Sequence, residues 1–129
     1  MGGNFSNGYT YVNYLFAPIA GFSAFGSYTG TANVDGPFVY TGFRPKFVMV
    51  KTSSVVGNWF ILDAARNTYN VANTRLAADA SAADDTNVAY SIDFLSNGFK
   101  LRSSSNVNVS GTYIYAAFAE NPFKNALAR

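Results

Sequence analysis

Two strand-forming runs separated by a polar break constrain this chain more than any other feature. Phe47 to Lys51 and Trp59 to Asp63 are dense in β-branched and aromatic side chains, a composition that suits a pleated, half-buried surface. Pro45 keeps Arg44 out of the helical region and opens the first run at a position that needs no ladder hydrogen bond. Ser53 to Asn58 supplies a turn between the runs. The pattern predicts two long, paired strands at the centre of a β core.

The rest of the chain extends that reading. Residues 1–8 are rich in Gly, Asn and Ser and read as a flexible leader, which leaves 9–129 as a single β domain. Tyr9 to Ala17 alternates in the manner of a strand, with Tyr9, Tyr11, Asn13 and Leu15 on one side, and Pro18 stops it. Gly21 to Tyr28, Phe38 to Thr41, Val88 to Leu95, Phe99 to Arg102 and Thr112 to Ala119 read as further strands. Asn97-Gly98 between alternating runs predicts a hairpin on a type I′ turn, since both residues tolerate positive φ. Ala64 to Thr86 lacks sustained alternation and reads as loop. The expected fold is all-β with about seven or eight strands and little helix. A jelly-roll or concanavalin-A-like β-sandwich fits that spacing. One internal echo stands out: Thr10 to Ala17 matches Thr112 to Ala119 at four identical positions, with Val12 conservatively replacing Ile114. Two neighbouring strands of similar composition would explain it. So would a first strand equivalent to the last strand of a preceding module in an array.

Composition narrows the chemistry. The chain has no cysteine, so disulfides, thiolate metal sites and cysteine nucleophiles are all ruled out. It has no histidine, the usual residue of zinc sites and of proton transfer near neutral pH. Glutamate occurs only at Glu120, so an enzyme would have to work with aspartate, tyrosine, lysine or serine; Asp35, Asp63 and Asp93 are the candidates for a glycan-processing enzyme, and no enzyme is expected. A net charge of +2, with no basic run, gives no phosphate-binding term and argues against nucleic acid as a partner. No segment has the apolar length that inserts in a membrane as a helix, and Tyr14 to Ala20 lacks the charged leader of a signal peptide. Aromatics reach 17% of residues, nine of them tyrosines among Asn, Ser, Thr and Gly. That is the composition of adhesive, paratope-like surfaces.

Three runs carry a resemblance. They are Gly21-Phe22-Ser23 through Gly30, Asp35-Gly36-Pro37 through Pro45 into Trp59-Phe60-Ile61-Leu62-Asp63 and Ala65-Arg66-Asn67, and Asp93-Phe94-Leu95-Ser96-Asn97-Gly98 closing with Gly111 to Phe123. The chain resembles a β domain common at the C-termini of tailed-phage virion proteins, often tail or tail-fibre proteins of environmental phages. In that family the domain usually lies inside longer proteins, whereas here it fills nearly the whole chain. The resemblance implies a virion surface component, assembled in the host cytoplasm, with other virion proteins as partners. It implies a homo-oligomer, with a trimer favoured by analogy with fibres, and either host attachment or decoration of the capsid. It supplies no catalytic residue and no cofactor.

Candidate sites follow from residue types. A sugar is held by an exposed aromatic face with nearby amides or carboxylates. Trp59, Tyr40 and Tyr69 with Asp63, Arg66 and Asn67 form the best such group for a host surface glycan. The plainer reading places Trp59 in the core and pairs Asp63 with Arg66 across a bend. Asp79, Asp84, Asp85 and Asp35 match no calcium-loop pattern, so no metal is expected. The aromatics beyond the needs of one core suggest assembly surfaces, with Tyr11, Tyr14, Tyr113, Tyr115, Phe123 and Leu127 as candidates.

Overall fold

The computed structural model describes residues 8–122. Nine strands form within them: β1 (Ser23–Gly30), β2 (Phe38–Tyr40), β3 (Pro45–Thr52), β4 (Phe60–Asp63), β5 (Thr74–Ala77), β6 (Asp85–Thr86), β7 (Ile92–Leu95), β8 (Gly98–Leu101) and β9 (Gly111–Ala119). A single 3₁₀ turn, Val88–Tyr90, precedes β7. All pairings are antiparallel. One sheet has the order β1-β9-β3-β4-β5-β6 and the other β2-β8-β7.

The expected central pair is present. β3 and β4 pair from Phe47↔Asp63 to Val50↔Phe60, and β9 lies on the other side of β3. Alternation then divides the side chains of the six-stranded sheet. Val48, Val50, Leu62, Tyr113 and Ala117 point inward and are almost completely buried. They meet Val39, Ile92, Phe94, Phe99 and Leu101 from the smaller sheet in one core. Tyr28 stacks on Tyr113 at 4.9 Å between ring centroids and meets Phe99 edge-on, so the aromatics bridge the two layers. The result is a β-sandwich.

Several sequence expectations need correction. Tyr9 to Ala17 forms no strand among the described residues; most of its side chains are exposed, and Phe16 folds back onto Phe25. Strand-like composition makes a strand only when a neighbour supplies the ladder, and none of the described residues does so here. Within the supposed loop 64–86, Thr74–Ala77 pairs with β4 and Asp85–Thr86 with β5. The rest of that segment still covers an edge: the Asn70 side-chain amide donates to the Phe94 carbonyl at 3.0 Å and accepts its N–H at 2.9 Å, standing in for a strand beside β7. Val88 to Leu95 is not one strand. Asn87 accepts the Ala89 N–H and caps the 3₁₀ turn before β7 begins. The tail carrying Phe123 and Leu127 lies outside the described residues, as does most of the leader.

At one end of the sandwich, three polar side chains hold the irregular segment between β8 and β9. Tyr28 donates its hydroxyl to Val107 O at 2.6 Å, Tyr113 donates to Asn106 O at 2.7 Å and accepts the Val109 N–H, and Asn108 is completely buried. Burial raises the Tyr28 hydroxyl far above the ordinary tyrosine range, with the neighbouring Tyr113 adding to the effect, and burial raises Tyr113 too. The neutral phenol is therefore favoured in the folded state. Its contribution is complete below the unfolded tyrosine value and is lost as the pH climbs past it. Stability should be flat to about pH 9 and fall above about pH 10 by about 1.4 kcal/mol per pH unit for Tyr28 alone. Urea midpoints measured from pH 7 to 11.5 check this, and a flat profile to pH 11.5 contradicts it.

Candidate functional site

The outward face of the six-stranded sheet is as apolar as many interiors. Phe47 and Met49 alternate with the buried Val48 and Val50 on β3, and Ile114, Ala116 and Phe118 alternate with Tyr113, Tyr115 and Ala117 on β9. Phe25 on β1 and Ile61 on β4 point the same way. An antiparallel sheet exposed on one side normally alternates apolar with polar residues, whereas this one is apolar on both.

Phe118 is the centre of the face. Its ring meets Phe25 and Phe47 edge-on, each at 5.8 Å, and Phe22 at 6.0 Å. Phe16 reaches over from the N-terminal segment to stack on Phe25 at 5.8 Å and to touch Phe118 at 5.9 Å. A groove of about 510 Å³ lies among Phe16, Phe25, Met49, Trp59, Ile114 and Phe118. Phe47 also lines a shallower hollow with Ile61, Leu76, Lys46, Asp63 and Arg66, so the surface continues across β4 toward β5. Glu120 pairs at one margin with Arg44 at 2.8 Å and with Lys46 at 3.7 Å, while Asp63 opposite Phe47 and Lys51 opposite Ile114 bring charge onto the face itself.

The structure separates the proposed sugar group. Trp59 is half-buried in the groove, neither in the core nor fully displayed. Asp63 lies on the same face, but its carboxylate accepts the backbone N–H groups of Ala65 and Arg66 and pairs with the Arg66 guanidinium. The Asn67 amide oxygen accepts the N–H groups of Asn73 and Thr74, so it holds the loop together. Tyr40 belongs to the other sheet, and Tyr69 projects from the 64–73 loop. Among the candidate assembly residues, Tyr11 and Tyr14 are exposed on the N-terminal segment. Tyr113 is a core residue, which corrects its assignment to an interface, and Tyr115 is half-buried against Phe99 at 5.5 Å.

The aspartates are likewise dispersed. Asp35 pairs with Lys100 at 2.9 Å and with Arg102, which also holds Asp93 at 2.6 Å. The Lys100 hydrogen bond and charge, with Arg102 behind them, hold Asp35 below the usual carboxylate range. Asp79 accepts the Trp59 N–H, Asp84 lies near Arg66, and Asp85 pairs with Arg75. Among the described residues no group of three or more acidic side chains converges as a metal site would require. The described residues also contain no helix long and apolar enough to cross a membrane.

Sequence reasoning missed Phe25, Phe47, Met49, Ile114 and Phe118 as surface residues. The available signal was the unbroken apolar run Phe47-Val48-Met49-Val50, which marks a strand covered on both faces. The face can be tested directly. Ile114→Asp should shift stability by less than about 1 kcal/mol, because the side chain points outward, while Val50→Asp should prevent folding. Binding of an apolar fluorescent dye should drop in the folded Ile114→Asp protein. Undiminished dye binding would place the apolar surface elsewhere.

Fold and face together define an all-β sandwich domain with one apolar outer sheet surface. More particularly, the chain belongs to the family described as a domain of unknown function, DUF7483, whose sequence model matches residues 2–122. No curated protein and no solved structure matches the chain.

Proposed function

We propose that this domain is a structural module of a tailed-phage virion, displayed on the particle surface as a tail or tail-fibre binding module. It would serve host attachment through assembly and adhesion, with binding rather than catalysis as its work. The observation that carries the reading is the apolar outer face of the six-stranded sheet, around Phe25, Phe47, Met49, Trp59, Ile114 and Phe118. Apolar surface of this kind on a folded domain marks a protein contact. The sequence resemblance to virion β domains supports the setting, and homo-oligomers are the common outcome for such modules. Host glycan would meet the Trp59 side of the groove, where an aromatic ring lies on the same face as Asp63 and Arg66.

One observation favours a second reading, a capsid decoration protein. The groove among Phe16, Phe25, Met49, Trp59, Ile114 and Phe118 is lined by no charged side chain, which suits a capsid subunit better than a hydrated glycan. Antibody–gold labelling of intact virions distinguishes the two. Gold at the tail tip supports attachment, and gold across the head supports decoration. Particles without gold overturn both.

A further inference from the structure

The outer face of the smaller sheet carries two exposed rings beside a network of charge. On β2, Phe38 and Tyr40 point away from the core on either side of the buried Val39, at 44% and 67% exposure. Two residues apart on one strand, they stand about 6.6 Å from each other along it. Phe38 lies opposite Lys100, yet its ring reaches over the neighbouring Gly98, where a Cβ would come within 2.9 Å of it. The ring therefore rests on the strand backbone, and its remaining surface meets solvent. The hydroxyl end of Tyr40 runs beside Gly42, where a Cβ would stand 3.6 Å away.

The charged groups lie next to these rings. Lys100 stands between Phe38 and Asp93 in one cross-strand row. Arg102, two residues further on, holds Asp93 at 2.6 Å. Asp35 comes in from the loop before β2 and takes both cations through one oxygen, Oδ1, with Lys100 at 2.9 Å and Arg102 at 3.2 Å. Its Oδ2 accepts no hydrogen bond from the described residues, and the side chain is three-quarters exposed. Arg102 donates through Nε and Nη1, which leaves Nη2 open. The loop that carries Asp35 is itself held. The Gly36 N–H donates to Leu101 O and the Leu101 N–H to Pro37 O, both at 3.1 Å, and Asn108 fixes Thr31 and Asn33. The open carboxylate oxygen is thus positioned before any ligand arrives, which lowers the cost of binding.

We propose that the outer face of the three-stranded sheet is a carbohydrate site for a neutral hexopyranose chain. Phe38 and Tyr40 stack on two successive sugar rings, while Asp35 accepts from one hydroxyl and Arg102 donates to another. A sugar ring presents an apolar C–H face and a rim of hydroxyls that both donate and accept, and the site matches each part. Two cations and two carboxylates balance in the network, so the face offers no net field to hold an acidic sugar or a phosphate. A protein partner fits less well. The two rings expose roughly 250 Å² together, well short of the roughly 800 Å² that one side of a stable protein interface gives.

This site lies on the opposite side of the sandwich from the Phe118 face, so both can be occupied at once. It holds whether or not that face meets a particle, and its test needs no particle. Amide spectra of the isotope-labelled full chain are titrated with hexaoses of glucose, galactose, mannose and N-acetylglucosamine. At least one should bind with a Kd of about 0.1–1 mM and shift the signals of β2, β8 and residues 35–37. The only tryptophan, Trp59, stands on the other sheet's outer face, so its fluorescence should not change. Tyr40→Ala should weaken binding about fivefold and Tyr40→Phe should not, because the ring makes the contact. Asp35→Ala should weaken it about fivefold as well. Both positions are exposed, so the spectra should stay dispersed. Ile114→Asp on the far face should leave the affinity unchanged. The proposal is overturned if no hexaose moves a signal at about 10 mM, if the shifts gather around Trp59, or if either alanine variant binds as tightly as the unmodified chain. A sialylated oligosaccharide that binds more tightly than every neutral hexaose overturns it too.

Discussion

Gly98→Ala should destabilise the domain by about 3 kcal/mol, while Asn97→Ala beside it should change stability by no more than about 0.5 kcal/mol. The contrast separates two reasons for an Asn-Gly pair. In a type I′ turn both residues take positive φ, and replacing either one is costly. The hairpin exists here, with β7 and β8 in register from Ile92↔Leu101 to Leu95↔Gly98, but its two-residue turn is Ser96-Asn97. Neither residue has positive φ, nor does Gly98. Asn97 is exposed, and its contribution comes from its backbone carbonyl, which accepts the N–H groups of Thr41 and Gly42 at 3.0 and 3.2 Å. Gly98 is needed for space. It sits on the central strand of the smaller sheet, opposite Tyr40 on one side and Leu95 on the other. A Cβ there would press into the Val39 carbonyl oxygen and come within 2.9 Å of the Phe38 ring. The obstacle includes backbone, so β2 would have to move as a unit. Denaturant midpoints for the two variants check the prediction, and equal losses would restore the positive-φ explanation.

That hairpin shows what was legible in the sequence and why. Local patterns located β3, β4, β7, β8 and β9, because alternation and turn residues act over a few positions. They failed where pairing decides. Tyr9 to Ala17 has the composition of β9 yet, among the described residues, no strand pairs with it. Thr74–Ala77 lacks alternation yet forms a strand because β4 offers an edge, and its Arg75 packs over Phe60 and Tyr90 at 5.7 and 5.0 Å. The candidate site divides along the same line. The Asp63–Arg66 pair is a three-residue local contact and was readable as the plain alternative to a sugar site. The cluster of Phe25, Phe47 and Phe118 joins β1, β3 and β9 across most of the chain, and only the sheet order brings it together.

Asn108→Leu should cost about 3–5 kcal/mol, a large share of the roughly 5–15 kcal/mol that holds a domain folded. Asn108 is completely buried and uses both ends of its amide. The oxygen accepts the Thr31 N–H at 2.9 Å, while the nitrogen donates to Asn33 O at 2.8 Å and Ser103 O at 2.7 Å. Leucine fills the volume but leaves one backbone donor and two carbonyls without these partners. Asn108→Asp probes the same geometry by charge. Its carboxylate keeps the Thr31 contact but faces two carbonyl oxygens, so the charged form is disfavoured by burial and by repulsion. The folded-state pKa of the introduced carboxyl is therefore raised above its unfolded value. The carboxyl must take up a proton on folding, so the variant gains stability as the pH falls from 7 toward 5, when the protonated group donates to one of the two carbonyls. Pairing this variant with the unmodified protein across that pH range isolates the effect of one oxygen. If both respond to pH alike, the amide nitrogen is not what ties the 31–36 segment to the 103–111 segment. If only the variant is rescued by acid, the two segments at that end of the sandwich form one unit, hinged on a single buried amide.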